Sequence, residues 1–190
     1  MIHANGFWVG EESSGQHMYD TTLSNALVTY FTQQAKFNEK VKFSVCDFGC
    51  GMGNYVEHLR KNKIIADGFD GNPNTAQLSK NVAQVIDLSE PFSLGRTYPW
   101  VMSLEVGEHL PSKFEDIFIS NLVNHAKDGI ILSWAVPGQG GHGHVNELPN
   151  NVIIERMGKL GWTYDNTDSQ ILRNAATFQH FKNTIMVFKR

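Results

Sequence analysis

The stretch Val45, Cys46, Asp47, Phe48, Gly49, Cys50, Gly51, Met52, Gly53 decides how this chain is read. It completes an apolar run, Val41 to Asp47 with Val41, Phe43 and Val45, that has the character of a short buried strand. It then leads into Asn54, a cap for a helix over Tyr55 to Lys61. Glycines at three alternate positions remove Cβ atoms from the turn. The backbone can therefore fold tightly and lie against a flat or extended ligand, while the helix amino end points N–H groups at it. A plain turn needs one glycine rather than three.

Outward from this turn the alternation continues. Ile64 to Phe69 reads as a second strand, Asn72 and Pro73 open a helix, and Val82 to Ile86 is a third strand. Trp100 to Leu104 is a fourth. Ser112 and Glu115 form a capping-box pattern ahead of Phe114, Ile117, Phe118 and Leu122, and Gly129 to Trp134 is a fifth strand. Val152, Ile153, Met157 and Leu160 mark a helix that stops at Gly161. Trp162 to Tyr164 and Thr184 to Phe188 flank a last helical segment around Ile171, Leu172, Ala175 and Ala176. Upstream, Asp20 caps a helix carrying Leu23, Ala26, Leu27, Tyr30, Phe31 and Ala35. Strands separated by helices pair in parallel and build an open α/β sheet with helices on both faces. Ligands of such sheets sit at the carboxyl ends of the strands, near the switch in strand order. Functional residues are therefore expected after Asp47, Phe69, Ile86, Leu104 and Trp134.

The chain has 190 residues, close to one domain at about 150 residues each. We read 1–190 as a single unit, 1–40 being an amino-terminal lid and helix and 41–190 the core. With 41% hydrophobic residues it has the material for a core. Sixteen Lys and Arg against 19 Asp and Glu give a net charge of −3, so nucleic acid is not expected as a partner. No apolar run reaches a membrane span, and Met1 to Gly15 lacks the blocks of a signal peptide. The expectation is a soluble, cytoplasmic protein, monomeric or homodimeric, with Cys46 and Cys50 as reduced thiols.

The loops carry the chemistry. Asp70 lies 17 residues beyond Gly53, directly after the second strand and followed by Gly71 and Asn72. An acid about 20 residues past a glycine turn accepts hydrogen bonds from ribose hydroxyls. Asp87 could accept from an exocyclic adenine amine while Leu88 packs on the ring, although a plain turn over Asp87 to Pro91 fits the same spacing. A nicotinamide dinucleotide also contains adenosine, but its fingerprint places glycines at the first, third and sixth positions. Here the third glycine falls at the fifth position from Gly49, and Asn54 occupies the sixth.

These residues resemble the class I S-adenosylmethionine-dependent methyltransferases. The run Val45 to Gly53 is similar to that family's glycine-rich first motif, Asp70 to its acid after the second strand, and Asp87 to its adenine-proximal acid after the third. Met102 to Pro111 looks like its motif after the fourth strand, which flanks the reactive methyl group. The resemblance implies a Rossmann-like sheet of seven strands, the last one antiparallel and supplied by Thr184 to Phe188. It implies S-adenosylmethionine bound by Asp47, Gly49, Cys50, Gly51, Gly53, Asp70, Gly71, Asn72, Asp87, Leu88 and Glu105. Glu105 would lie near the donor's amino group or sulfonium.

For the acceptor, a small polar molecule is expected. His109 is the leading candidate base, because an imidazole titrates near neutrality and this one follows the fourth strand. Substrate contacts are expected from the glycine-rich loop with His142 and His144, from Trp134 before it, and from His17 and Tyr19. The segment with Phe7, Trp8, Glu11, His17, Met18 and Tyr19 fits a lid. A metal centre is not expected, since His109, Glu105 and Glu108 are scattered in sequence relative to His142 and His144. The rival readings are a non-catalytic module that binds the same donor, and a methyltransferase with a macromolecular acceptor.

Overall fold

The computed structural model describes residues 1–10, 17–37 and 42–190. Glu11 of the expected lid and Val41 of the first strand lie outside them. Seven strands form one sheet in the order β3-β2-β1-β4-β5-β7-β6. The first three are β1 (Ser44–Phe48), β2 (Ile65–Asp70) and β3 (Ala83–Val85). They are followed by β4 (Tyr98–Leu104), β5 (Ala126–Ser133), β6 (Thr163–Asp165) and β7 (Met186–Lys189). From β3 to β5 the pairing is parallel, and β7 runs antiparallel to both β5 and β6. Strand order reverses between β1 and β4, so the loops leaving these neighbours diverge and open a crevice at their carboxyl ends.

Helix α1 (Thr21–Phe37) precedes the sheet, and α2 (Asn54–Lys61), α3 (Thr75–Leu78), α4 (Glu115–His125), α5 (Asn150–Lys159), α6 (Asn166–Ala175) and α7 (Gln179–Thr184) lie between its strands. Alternate strand residues feed two cores, because successive side chains point to opposite faces. Val45, Trp100 and Met102 pack with Leu23, Leu27, Phe31 and Val56. Cys46, Phe48 and Val101 pack with Phe118, Leu122, Trp134 and Met157. Asp20 caps α1 as the sequence indicates: its Oδ1 accepts from the N–H groups of Thr22 and Leu23. Its Oδ2 also accepts from those of Thr177 (2.6 Å) and Phe178 (3.0 Å), tying the chain ahead of the sheet to the α6–α7 turn.

Three local expectations are corrected. Asn54 is the first residue of α2, and the cap is Gly53 with φ 72°. Ser112 begins a 3-10 turn, Ser112–Phe114, and caps nothing with its side chain. Glu115 is instead drawn away to Asn146, whose amide it accepts at 2.8 Å, and to Arg156. After Asn72 the helix is a single turn, α3, reached through an Asx bond in which Asn72 Oδ1 accepts from the Asn74 N–H at 2.9 Å.

The loop after β4 needs a glycine. A Cβ on Gly107 would lie 2.2–2.4 Å from ring carbons of the fully buried Trp134. Gly107→Ala must displace that indole, so unfolding in urea should show a loss of about 1–3 kcal/mol or more. A midpoint unchanged from wild type would contradict this packing.

Candidate active site

The crevice between the β1 and β4 loops is a cavity of about 330 Å³, within the range of small-molecule sites. The β1 turn forms its floor. Gly49, Gly51 and Gly53 have φ 82°, 54° and 72°, left-handed values that a side chain resists. The Gly49 and Cys50 N–H groups are tied to the Phe69 carbonyl at 2.7 and 3.1 Å. Asp70 joins the two loops: its Oδ2 accepts from the Gly51 N–H and its Oδ1 from the Asn72 N–H, both at 2.9 Å. Gly49, Cys50, Gly51, Asp70, Gly71 and Asp47 all line the cavity. Gly53 and Asn72 stand behind it. Gly53 approaches Val82, which an added Cβ would meet at 2.9 Å, and Asn72 is buried.

Asp47 is buried, and its carboxyl pKa is pushed up to about 8, by burial first and then by the charge of Asp70. At neutral pH without a ligand it holds a proton. Farther along the strand tips, Asp87 and Leu88 line the same wall. Asp87 Oδ1 accepts from the N–H and hydroxyl of Ser89, and its Oδ2 from the Asn5 amide at 2.8 Å. Asn5 is a contributor that sequence reasoning missed.

The β4 loop supplies the other side. Glu105 sits at φ 54°, rare for a residue with a side chain and a mark of over-determined geometry. Its carboxylate is fixed at both oxygens, Oε2 accepting from the Gln139 amide and Oε1 from the Thr184 hydroxyl at 2.9 Å. His109 also lines the cavity. Its pKa is lowered to about 4, by burial first and then by His144. The expectation of an imidazole titrating near neutrality therefore does not describe this ring, which is uncharged at neutral pH and a weak proton acceptor.

Residues 143–146 fold back over the β4 loop, since the Val145 and Asn146 N–H groups both donate to the Glu108 carbonyl, at 2.9 and 3.0 Å. That bond pair brings His144 to His109, with ring centroids 4.9 Å apart. Residues separated in sequence thus converge. His17, His109 and His142 each pack on Trp8, whose centroid lies 4.9, 5.4 and 6.0 Å from theirs. Asn5 to Trp8 form a cavity wall pressed onto the β4 loop, where a Cβ on Gly6 would lie 2.2 Å from the His109 carbonyl.

Trp134 and Tyr19 do not reach the cavity, contrary to their expected substrate contacts. The Trp134 indole is fully buried and donates to the Asn146 carbonyl at 2.7 Å, a bracing role for the histidine loop. Tyr19 turns toward α1 and α2, with its hydroxyl donating to Ser24 and its ring against Tyr55.

No protein-family model and no curated protein matches the sequence. Solved structures do match its shape. Magnesium protoporphyrin IX methyltransferase from Synechocystis PCC 6803, crystallised with SAH, superposes with a TM-score of 0.66 at 19% identity, over 88% of this chain and 81% of that one. The fold is the S-adenosylmethionine-dependent methyltransferase fold. The sugar N-methyltransferase KedS8 from Streptoalloteichus sp ATCC 53650 is similar at TM-score 0.66 and 13% identity, over 94% and 90% of the two chains. A TehB-like methyltransferase from Corynebacterium glutamicum ATCC 13032 Kitasato also reaches 0.66, at 15% identity over 94% and 91%.

Proposed function

We propose that this protein is a methyltransferase that takes its methyl group from S-adenosylmethionine, passes it to a small polar molecule and releases S-adenosylhomocysteine. The observation that carries this reading is that acids at the carboxyl ends of three successive strands, Asp47, Asp70 and Asp87, line one cavity with the glycine turn, at the switch in strand order of a methyltransferase fold. Asp70 faces the ribose hydroxyls. Leu88 covers an adenine face, with Asp87 at the exocyclic amine. Gly49 to Gly51 leave bare backbone for the amino-acid tail, and Asp47 meets its ammonium group. Glu105, held by Gln139 and Thr184, supplies fixed negative charge beside the sulfonium.

The donor, when bound, supplies an electrophilic methyl carbon with a neutral thioether as leaving group. The acceptor's lone pair forms the new bond as the carbon–sulfur bond breaks and its electrons stay on sulfur. The protein's share is alignment: an acceptor held in line at about 3–3.5 Å can gain several kcal/mol. His17, His142 and His144 are placed to orient a polar acceptor over the β4 loop.

Thermal unfolding with added nucleotides tests the reading. Donor and demethylated product, at about 100 times their dissociation constants, should each stabilise the chain by about 2.7 kcal/mol, and NAD should give no shift. No shift with either sulfur nucleotide would sink the proposal. Binding without turnover over a broad acceptor panel would leave a donor-binding module instead.

A further inference from the structure

We infer that Glu108, His109 and His144 form a binding site for one divalent first-row transition cation, opening onto the cavity. One ligand atom from each lies within 4.8 Å of the other two. Bonds to such a cation are near 2.0–2.2 Å, which sets donor atoms about 3 Å apart, so the three side chains need only close inward by about an ångström or two.

The state of Glu108 carries the argument. Its side chain is fully buried, and neither carboxylate oxygen makes a well-formed hydrogen bond among the described residues: the backbone N–H groups of Glu108 itself and of Ala135 lie near it, and no side chain pairs with it. The His144 Nε2 atom lies 3.9 Å from Oε1, beyond hydrogen-bond reach. A buried carboxylate left this way is costly. Protonating it removes the charge but leaves the O–H short of an acceptor, since the His144 Nε2 lone pair stands 3.9 Å away. A dication between Glu108 and the two rings satisfies all three groups together.

Both imidazoles are already oriented for that role. His109 Nδ1 is 3.3 Å from the Gly143 carbonyl, which can only accept, so the proton is on Nδ1 and the lone pair on Nε2. His144 Nδ1 donates to Glu147 Oε1 at 2.9 Å, leaving Nε2 as the nitrogen directed at Glu108. Glu147 is held in turn by the N–H groups of Gly138 and Gly140, at 2.7 and 2.8 Å. Ligating histidines characteristically give their other N–H to a carbonyl or carboxylate, which fixes tautomer and ring angle. Glu105 stays outside the set, since Gln139 and Thr184 occupy its oxygens.

Two neutral imidazoles and one carboxylate suit zinc, cobalt, iron(II) or nickel better than magnesium or calcium, which prefer all-oxygen surroundings. The remaining coordination positions face the cavity that His109 and His144 line. If the methyltransferase reading holds, an oxygen of the acceptor would coordinate there and become more acidic. That consequence rests on the proposed function, whereas the metal site itself does not.

Cobalt(II) added to the chelator-stripped full chain is the probe. We expect visible d–d absorption that saturates at one equivalent and is abolished by zinc but unmoved by excess magnesium. Glu147→Gln should weaken cobalt binding by roughly 10- to 100-fold, and loss of a direct ligand in Glu108→Gln or His144→Ala by more than that. His180→Ala, in the same cavity wall but outside the cluster, should leave it unchanged. Should Glu108→Gln fail to fold, the partly exposed His144 carries the test alone. Absence of the spectrum, displacement by magnesium, or equal binding by His144→Ala would overturn the inference. Donor calorimetry on the same samples separates the two readings: donor without metal binding sinks this one, and metal without donor binding sinks the proposed function.

Discussion

Asp70→Ala should lower the affinity for S-adenosylmethionine by at least about a hundredfold. A ribose edge gives two hydrogen bonds to a carboxylate, each about 1.5–3 kcal/mol, and a loss of about 3 kcal/mol is already more than a factor of a hundred. The variant also costs stability. Asp70 holds the Gly51 and Asn72 N–H groups at 2.9 Å each, so alanine strands two donors and lets the glycine turn drift from the β2 loop. Asp70→Asn keeps one acceptor oxygen and is the gentler control. Calorimetry gives the affinity and urea unfolding the folded fraction. A folded Asp70→Ala chain that binds the donor as wild type would remove Asp70 from the ribose.

Most of the fold was legible because its signals are periodic. Every expected strand is present, and the helix that starts after Asp20 begins where its cap places it. The boundaries moved where polar residues or proline break the pattern. Trp100 looks like the start of β4, because Pro99 has no N–H to give a ladder. The strand in fact begins at Tyr98, and its register against β5 shifts between Tyr98 and Trp100. Likewise Lys127 and Asp128 hide the first residues of β5, which starts at Ala126. The capping-box expectation failed because local spacing is blind to the distant partners of Glu115, namely Asn146 and Arg156.

The lining of the cavity was legible where it follows one strand end at a time, as at Asp47, Asp70, Asp87 and Glu105. It was not legible where two loops must meet. Glu108 and His109 follow β4 and His144 follows β5; the pairing of those strands puts both loops at one sheet edge. That signal was available in the sequence. What it lacked was the pair of bonds from Val145 and Asn146 to the Glu108 carbonyl, which turns neighbouring loops into one cluster. Asn5 was invisible for a similar reason, since nothing near it in the chain announces Asp87 as its partner.

Without ligand, the protein should lose stability between pH 6.5 and 8, Asp47 alone contributing about 2 kcal/mol of the loss, and Asp47→Asn should remove that share. Burial and the neighbouring Asp70 push the Asp47 carboxyl up to about 8 from an ordinary 3.8. Between those values the native state keeps a proton that the unfolded chain has released, so stability falls as pH rises. Glu108, raised by burial and then by Glu105, acts in the same direction. Below pH 6.5 the histidines oppose it: His109, lowered to about 4, and His17, lowered by burial, are neutral when folded and charged when unfolded. The slope therefore emerges only above their ordinary 6.5. The depressed carboxylates, Glu147 beside His144 and Asp165 beside Lys189, lose their contribution only in acid. Urea unfolding of wild type and Asp47→Asn at pH 6.5, 7.2 and 8 measures the effect, and equal slopes in the two would mean that Asp47 is ionised throughout. The same proton gives a second readout. An ammonium group arriving at Asp47 favours its carboxylate, so donor binding at pH 7 should release a fraction of a proton. Calorimetry in two buffers of different ionisation enthalpy detects that release, and it should vanish in Asp47→Asn.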